Sequence, residues 1–441
     1  MLKNYWVLFL WTIPLVSSLN VTFEPAAFEQ FRTGETRNIL VKVSDIRTDT
    51  ISIAARCEDE FICSMVNHPA EIVPNSEKEV NFNVTVKAVF LGSTNVTVII
   101  NDENYTYPLR LLRSKQGHIT STSFTVFIAV FIVVVTFMMG TQLKVEQIHF
   151  IVKKPIGPII GFLCQFGLMP LIGFVIANFC LSSFDRSVQL ALFAVATCPG
   201  GGKSSFWTII FGGNLDLSIS MTFFQTLAAL FMMPLWLKTL GTHFMDDSRI
   251  TIPFGRIVQS LFAIAIPTTI GILFTYFRPQ YVDFIQKWIT RVSWASMIIL
   301  TIFAVYTNFY MIWLVNWTIF VCACALPWTG YILAFLLATL FRQDFKNSIT
   351  IAIETGIQNV GIAMVLIYLC LPEPESDISV TIIFVMAIMT DKPLIVFWLG
   401  SRIYRRICKK DTVTQDLYSM ESMSEESKEK VDSNENSIVA V

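Results

Sequence analysis

The sequence predicts a polytopic α-helical membrane protein of about nine transmembrane helices, preceded by a small β-sandwich ectodomain. Three observations carry that expectation. Of 441 residues, 54% are hydrophobic and 15% charged, at a mean hydropathy of +0.59, a balance outside that of soluble domains. Residues 19–117 alternate apolar and polar side chains with period two. After Gly117 a succession of apolar stretches begins, two of them interrupted by polar, helix-unfriendly runs. The formal net charge is −1, so no basic face exists for nucleic acid, and none is expected as a partner.

Taken in order, the amino terminus reads as a secretory signal over residues 1–18. Lys3 supplies the charge, Tyr5 to Val16 the apolar run, and Val16-Ser17-Ser18 the small-residue cleavage site, with an uncleaved anchor as the alternative. Within 19–117, Val80, Phe82, Val84 and Val86 point one way and Glu79, Asn81, Asn83 and Thr85 the other. Val96, Val98 and Ile100 repeat the pattern, as do Ile39, Val41 and Val43. The expectation is a small antiparallel sandwich. N-glycosylation sequons begin at Asn20, Asn83, Asn95 and Asn104, which favours an extracellular or lumenal domain. Cys57 and Cys63 lie close together in the same segment, and a disulfide between them is expected there.

Apolar spans follow near 119–140, 156–182, 187–211, 215–240, 253–277, 288–312, 315–341, 346–371 and 378–401. Nine spans with an outside amino terminus leave the carboxyl terminus in the cytoplasm. The cations agree: Lys144, Lys153, Lys154, Arg278, Lys287, Arg342, Lys346, Arg402, Arg405 and Arg406 fall in inner loops. Residues 118–405 thus form a transmembrane domain, and the Ser- and Glu-rich residues 406–441 a disordered cytoplasmic tail.

The chemistry concentrates in the two interruptions, Cys198-Pro199-Gly200-Gly201-Gly202-Lys203-Ser204-Ser205 and Glu354-Thr355-Gly356-Ile357-Gln358-Asn359. Unwound backbone at membrane depth is tolerated only where it lines a cavity or is buried in protein. A pair of such breaks, one in each half of the chain, points to a transporter's binding site. An intramembrane carboxylate costs about 2.5–3.5 kcal/mol by insertion scales, so Glu354 faces either a bound cation or a structural partner. Pairing with Lys203 and capping a half-helix are the structural readings. Gln358 and Asn359 set amide oxygens beside Glu354, and carboxylate, amide and carbonyl oxygens suit a hard cation. Gln165 is a second intramembrane amide, and Ser218 and Thr222 lie one helical turn apart. No zinc-ligand spacing and no nucleophile–base motif occurs in the spans, so the sequence points away from an enzyme and from a cofactor.

Cys198-Pro199-Gly200-Gly201 with Ser204-Ser205, Leu217-Ser218-Ile219-Ser220-Met221-Thr222 and Met232-Met233-Pro234 resembles the sodium–bile acid cotransporters, solute carrier family 10. Glu354-Thr355-Gly356-Ile357-Gln358-Asn359 resembles that family's second signature, and Lys154-Pro155 with Gln165-Phe166-Gly167-Leu168-Met169-Pro170 a third. The resemblance covers about residues 119–405 and is that of an orphan-type member with an extended extracellular amino-terminal domain.

The resemblance implies inverted repeats with two broken helices crossing at mid-membrane. It implies one sodium held by Ser204, Ser205, Ser218, Thr222 and Glu354. A second would be held by Gln165, Glu354, Gln358 and the carbonyls of Thr355 and Ile357. It also implies an amphipathic organic anion, of the bile acid or sulfated steroid class, as substrate of a sodium symport by alternating access at the plasma membrane. Room is left for a homodimer. Typical sodium-coupled members have Asn where this chain has Ser205, and Lys203 occupies a position usually apolar. An ammonium within ~4 Å would repel sodium by roughly 4 kcal/mol at an effective dielectric of 20. Lys203, with Asn359, therefore stands as a substrate-binding or charge-balancing candidate. Two alternatives stay open: a sodium-independent organic-anion transporter in which Lys203 replaces one cation and pairs with Glu354, and a non-transporting surface receptor or scaffold.

Overall fold

The computed structural model describes residues 19–46, 50–74, 79–142, 155–245 and 254–281, scattered residues between 284 and 307, and 309–404. The expected signal at 1–18, the inner-loop residues Lys144, Lys153 and Lys154, about half of the expected span 288–312 and the tail 406–441 lie outside the described residues. The chain divides into two compact units. One holds Met1–Thr125 with Pro372–Ile378, the other Val126–Leu371 with Ser379–Val441.

Among the described residues, the first unit is built on nine strands: β1 (Asn20–Glu24), β2 (Phe31–Arg32), β3 (Thr36–Ser44), β4 (Ile51–Cys57), β5 (Cys63–Asn67), β6 (Glu71–Ile72), β7 (Val80–Ala88), β8 (Gly92–Ile100) and β9 (Glu103–Leu112). They form a four-stranded sheet, β1-β3-β7-β5, and a five-stranded sheet, β2-β9-β8-β4-β6. Pairing is antiparallel except at β2, a two-residue edge strand that runs parallel to β9 and delivers fully buried Phe31 to the core. Period-two alternation fixes which face goes in. Ile39, Val41, Val43, Val80, Phe82, Val84, Val86, Val96, Val98 and Ile100 all enter one core with Tyr107, Leu109 and Leu111. Cys57 and Cys63 are bonded, joining the end of β4 to the start of β5 with Cα atoms 6.0 Å apart.

The sequon asparagines divide into two kinds. Asn20, Asn83 and Asn104 are exposed. Asn95 instead donates its side-chain amide to Glu58 at 2.9 Å, and the Thr97 of its sequon is buried. Within the same unit, residues 372–378 carry an acidic run met by three basic side chains. Arg110 pairs with Glu375 at 2.5 Å, Arg113 with Asp377 at 3.7 Å and His118 with Glu373 at 3.0 Å.

The second unit is helical. Helix α1 (Lys115–Gln142) runs into it, followed by α2 (Ile156–Cys180), α3 (Arg186–Ala196), α4 (Ser204–Ile210), α5 (Leu215–Thr239), α6 (Phe254–Phe277), α7 (Trp317–Leu340), α8 (Phe345–Gly356), α9 (Val360–Cys370) and α10 (Glu375–Tyr404). Among the described residues, α2, α5, α7 and α10 are individually long and apolar enough to cross a membrane. The expected spans 187–211 and 346–371 are each two half-helices, α3 with α4 and α8 with α9. Small residues let α1 and α6 touch backbone to backbone, because a Cβ at Gly140 would lie 2.1 Å from the Thr268 carbonyl oxygen.

Tyr107 separates ring packing from hydrogen bonding in the sandwich. Its ring is 1% exposed and its hydroxyl donates to the Pro25 carbonyl at 3.0 Å. Tyr107→Phe should cost about 1 kcal/mol for the lost bond, and Tyr107→Ala about 3–5 kcal/mol for the cavity. Unfolding of the purified chain, followed by protease resistance of the sandwich, checks the order.

Candidate functional site

Two helices stop in mid-span because their sequences cannot continue them. After α3, Pro199 has no N–H to donate and Gly200-Gly201-Gly202 favour no regular turn. Helix α8 ends at Gly356 and α9 begins at Val360, with Asn359 accepting from the Ile362 N–H at 3.3 Å as its N-cap. The freed backbone groups find each other. Gly200 and Gln358 form an antiparallel bridge, the Gly201 N–H donates to the Ile357 carbonyl at 2.7 Å, and the Asn359 N–H donates to the Pro199 carbonyl at 3.0 Å. Such close approach needs glycine: a Cβ at Gly201 would lie 2.8 Å from the Gln358 carbonyl oxygen. The Gly200 N–H is satisfied by Gln225 Oε1 at 3.1 Å.

A layer of amides lies against this crossing. Gln165 sits in a π-helical turn, Cys164–Leu168, inside α2, the kind of one-residue insertion that re-aims a side chain. Its Nε2 donates to the Cys198 carbonyl at 2.6 Å and to Gln358 Oε1 at 2.8 Å, while Gln358 Nε2 donates to the Thr355 carbonyl at 2.7 Å. Among the described residues, Gln165 Oε1 and Thr355 Oγ1 are buried oxygens with no hydrogen-bond partner.

Glu354 is fully buried beside them. Ser218 Oγ donates to its Oε2 at 2.8 Å, and Thr222 Oγ1 donates to its Oε1. Ser205 Oγ lies 3.0 Å from Ser218 Oγ, extending the hydroxyl chain. Ser204 also faces the carboxylate, with its hydroxyl outside strict hydrogen-bond geometry. Among the described residues no cation pairs with Glu354.

Lys203 does not take up the alternative of pairing with Glu354. Its ammonium turns to Asp391, Nζ to Oδ2 at 2.8 Å, and not to Glu354. Trp207 Nε1 holds the other oxygen, Oδ1, at 3.2 Å. Asp391 marks a third interruption, Thr390-Asp391-Lys392-Pro393 in α10. Pro393 cannot donate back to the Met389 carbonyl, so Trp328 Nε1 donates there at 3.2 Å. The Tyr331 hydroxyl donates to the Thr390 carbonyl at 3.1 Å, and its ring packs directly on Gly356, where a Cβ would lie 2.2 Å from Tyr331 Cδ1.

Gln165, Ser204, Ser205, Ser218, Thr222, Glu354, Thr355, Ile357 and Gln358 therefore converge on one locus, whereas Asn359 is occupied as a cap and Lys203 as half of an ion pair. Asp391, Trp207, Tyr331 and Gln225 were not singled out from the sequence. An Asp two residues before a Pro inside an apolar span is the signal that marks the first of them.

Residues 129–313 match the family model described as Sodium Bile acid symporter family. The ileal sodium/bile acid cotransporter of Oryctolagus cuniculus is 32% identical over 257 residues, covering 58% of this chain and 73% of that protein. The Homo sapiens ileal sodium/bile acid cotransporter is 30% identical over 270 residues, covering 61% and 76%. The sodium-dependent organic anion transporter of Rattus norvegicus is 34% identical over 247 residues, covering 56% of this chain and 65% of that protein. The chain thus spans a little under two thirds of the rat protein's length.

The crossing predicts a contrast between two glycines. Gly201→Ala forces Cβ against backbone and should destabilise the protein by about 1–3 kcal/mol. Gly167→Ala, where nothing lies within 4 Å of the added Cβ, should be near neutral. Thermal unfolding of both variants in detergent measures the difference.

Proposed function

We propose that this chain, which belongs to the sodium bile acid symporter family, is a secondary active transporter that couples sodium to the movement of an amphipathic organic anion by alternating access. The family is one of transporters rather than enzymes, and the chain is a multi-pass membrane protein. The observation that carries the proposal is Glu354: a fully buried carboxylate, surrounded by hydroxyl oxygens and, among the described residues, without a cationic partner. Sodium is a hard ion that takes oxygen ligands, and this locus offers carboxylate, hydroxyl, amide and carbonyl oxygens. In this reading one sodium is held by Ser204, Ser205, Ser218, Thr222 and Glu354. The other is held by Gln165, Glu354, Gln358 and the carbonyls of Thr355 and Ile357, each carbonyl keeping a second lone pair beyond its present hydrogen bond.

Bile acids and sulfated steroids fit as substrate class, since the similar proteins include sodium/bile acid cotransporters and a sodium-dependent organic anion transporter. The pairing of Lys203 with Asp391 removes the support for a sodium-independent carrier in which Lys203 balances Glu354. We further propose the plasma membrane as location, residues 19–117 outside the cell, residues 118–405 as the transport domain and residues 406–441 inside. Exposed Asn20, Asn83 and Asn104 support glycosylation of the outer domain.

Uptake of radiolabelled taurocholate and of a steroid sulfate by transfected cells, in sodium against choline medium, tests the function. Glu354→Gln should cut sodium-driven uptake roughly a hundredfold or more, from a Coulomb term near 4 kcal/mol for a cation at ~4 Å, with surface expression near normal. Uptake unchanged in rate and ion dependence would make Glu354 structural and refute the coupling. Glycosidase-sensitive mobility should be lost stepwise in Asn20→Gln, Asn83→Gln and Asn104→Gln, whereas Asn95→Gln should change it least, because that amide is held by Glu58. A carboxyl-terminal tag accessible on intact cells would overturn the orientation.

A further inference from the structure

We infer that Asp391 is a positioning residue for the coupling ion: it holds the Lys203 ammonium away from Glu354 and so keeps that carboxylate's charge for sodium. The inference rests on the sodium-coupled reading. Lys203 immediately precedes Ser204 and Ser205, and the Ser205 hydroxyl reaches Glu354 through Ser218 in two steps of 3.0 and 2.8 Å. A lysine so placed, on a flexible four-carbon stem, has two carboxylates to choose between. Among the described residues, buried Glu354 is the one without a cation.

Asp391 is built to win that choice. Its two oxygens are gripped from one helix turn, Oδ2 by Lys203 and Oδ1 by Trp207 four residues on. Its backbone is fixed at the third interruption, where the Tyr331 hydroxyl binds the preceding carbonyl and the Tyr331 ring packs on Gly356. Trp207 and Tyr331, which hold Asp391 and the carbonyl before it, pack with Ile353 and Ile357 in one buried apolar cluster, which fixes where the carboxylate is presented. Asp391 touches neither Glu354 nor the oxygens proposed for sodium, so its effect on the ion is exerted through Lys203.

Thermal unfolding of the purified full-length protein, titrated with sodium chloride against choline chloride at constant ionic strength, tests this without a known substrate. Wild type should be stabilised with a defined half-point in sodium, and Glu354→Gln should lose it. Asp391→Asn keeps the acceptor for Trp207 and removes the charge. Its sodium half-point should rise about tenfold, the effect of one unit charge at roughly 10 Å through an effective dielectric near 20. Adding Lys203→Met to Asp391→Asn should return the half-point to within about twofold of wild type, as coupled sites do when the strained partner is removed. Lys203→Met alone leaves no ammonium to stray and should not raise it.

A purely structural Asp391 would lower the unfolding temperature of Asp391→Asn with the sodium half-point unmoved, and that result overturns the inference. So does a double variant that stays as shifted as the single one, or a raised half-point in Lys203→Met, which also decides the matter if Asp391→Asn fails to accumulate. Absence of sodium stabilisation in wild type would instead bring down the coupled reading itself, and the inference with it.

Discussion

Everything at the centre of the helical unit depends on the backbone pairing of two unwound segments. Hydrocarbon offers no hydrogen bonds, and a peptide group left unpaired there costs several kcal/mol. The hydrogen bonds between Gly201 and Ile357 and between Asn359 and Pro199 meet that cost by making a two-strand ladder in the middle of two helices. With the backbone satisfied, carbonyls and half-helix ends can be presented to a small polar locus. Glycine at 200 and 201 is what permits the approach, since any Cβ would strike the facing segment or Glu354.

The ladder is held from a third side. Pro393 breaks α10 where Asp391 and Thr390 are presented, and Trp328, Tyr331, Trp207 and Lys203 each contact the turn that results. Tyr331 is the shared member, hydrogen-bonded to one interruption while its ring rests on the glycine that ends another. Interruptions that would each be costly alone are thus mutually satisfied. Such a set of contacts has discrete arrangements rather than a continuum, because close-packed interiors do not deform smoothly.

The amino-acid pattern revealed the architecture better than the contacts. Period-two alternation placed Val80, Phe82, Val84 and Val86 in a sandwich core, and proline and glycine placed the two crossing breaks, because both signals are local in sequence. The parallel β2–β9 edge was not readable, since two residues carry no periodicity. Likewise the π-turn that aims Gln165 leaves no compositional trace. For Lys203 the sequence leaves substrate binding and pairing with Glu354 both open; its partner in the structure, Asp391, lies 188 residues on, a separation over which sequence says nothing about distance. Asn359, read as a possible ligand, is consumed by a capping role that any Asn before a helix can take.

In the proposed sodium-coupled cycle, the charges at this depth give the ion its role. Glu354 and Asp391 are both presented near the breaks, and the Lys203 ammonium is spent on Asp391. Glu354 is left with hydroxyl donors, which solvate a charge without cancelling it. A carboxylate buried without a counter-charge is costly in any state that excludes water. A conformation open to water relieves that cost by hydration; a closed one relieves it only with a cation in place. On the proposed reading, binding the cation would favour closure, and the difference in affinity between the two states would set how far the equilibrium moves. The proposed coupling of ion to transport would then need no device beyond the unneutralised carboxylate, provided Lys203 is kept from neutralising it.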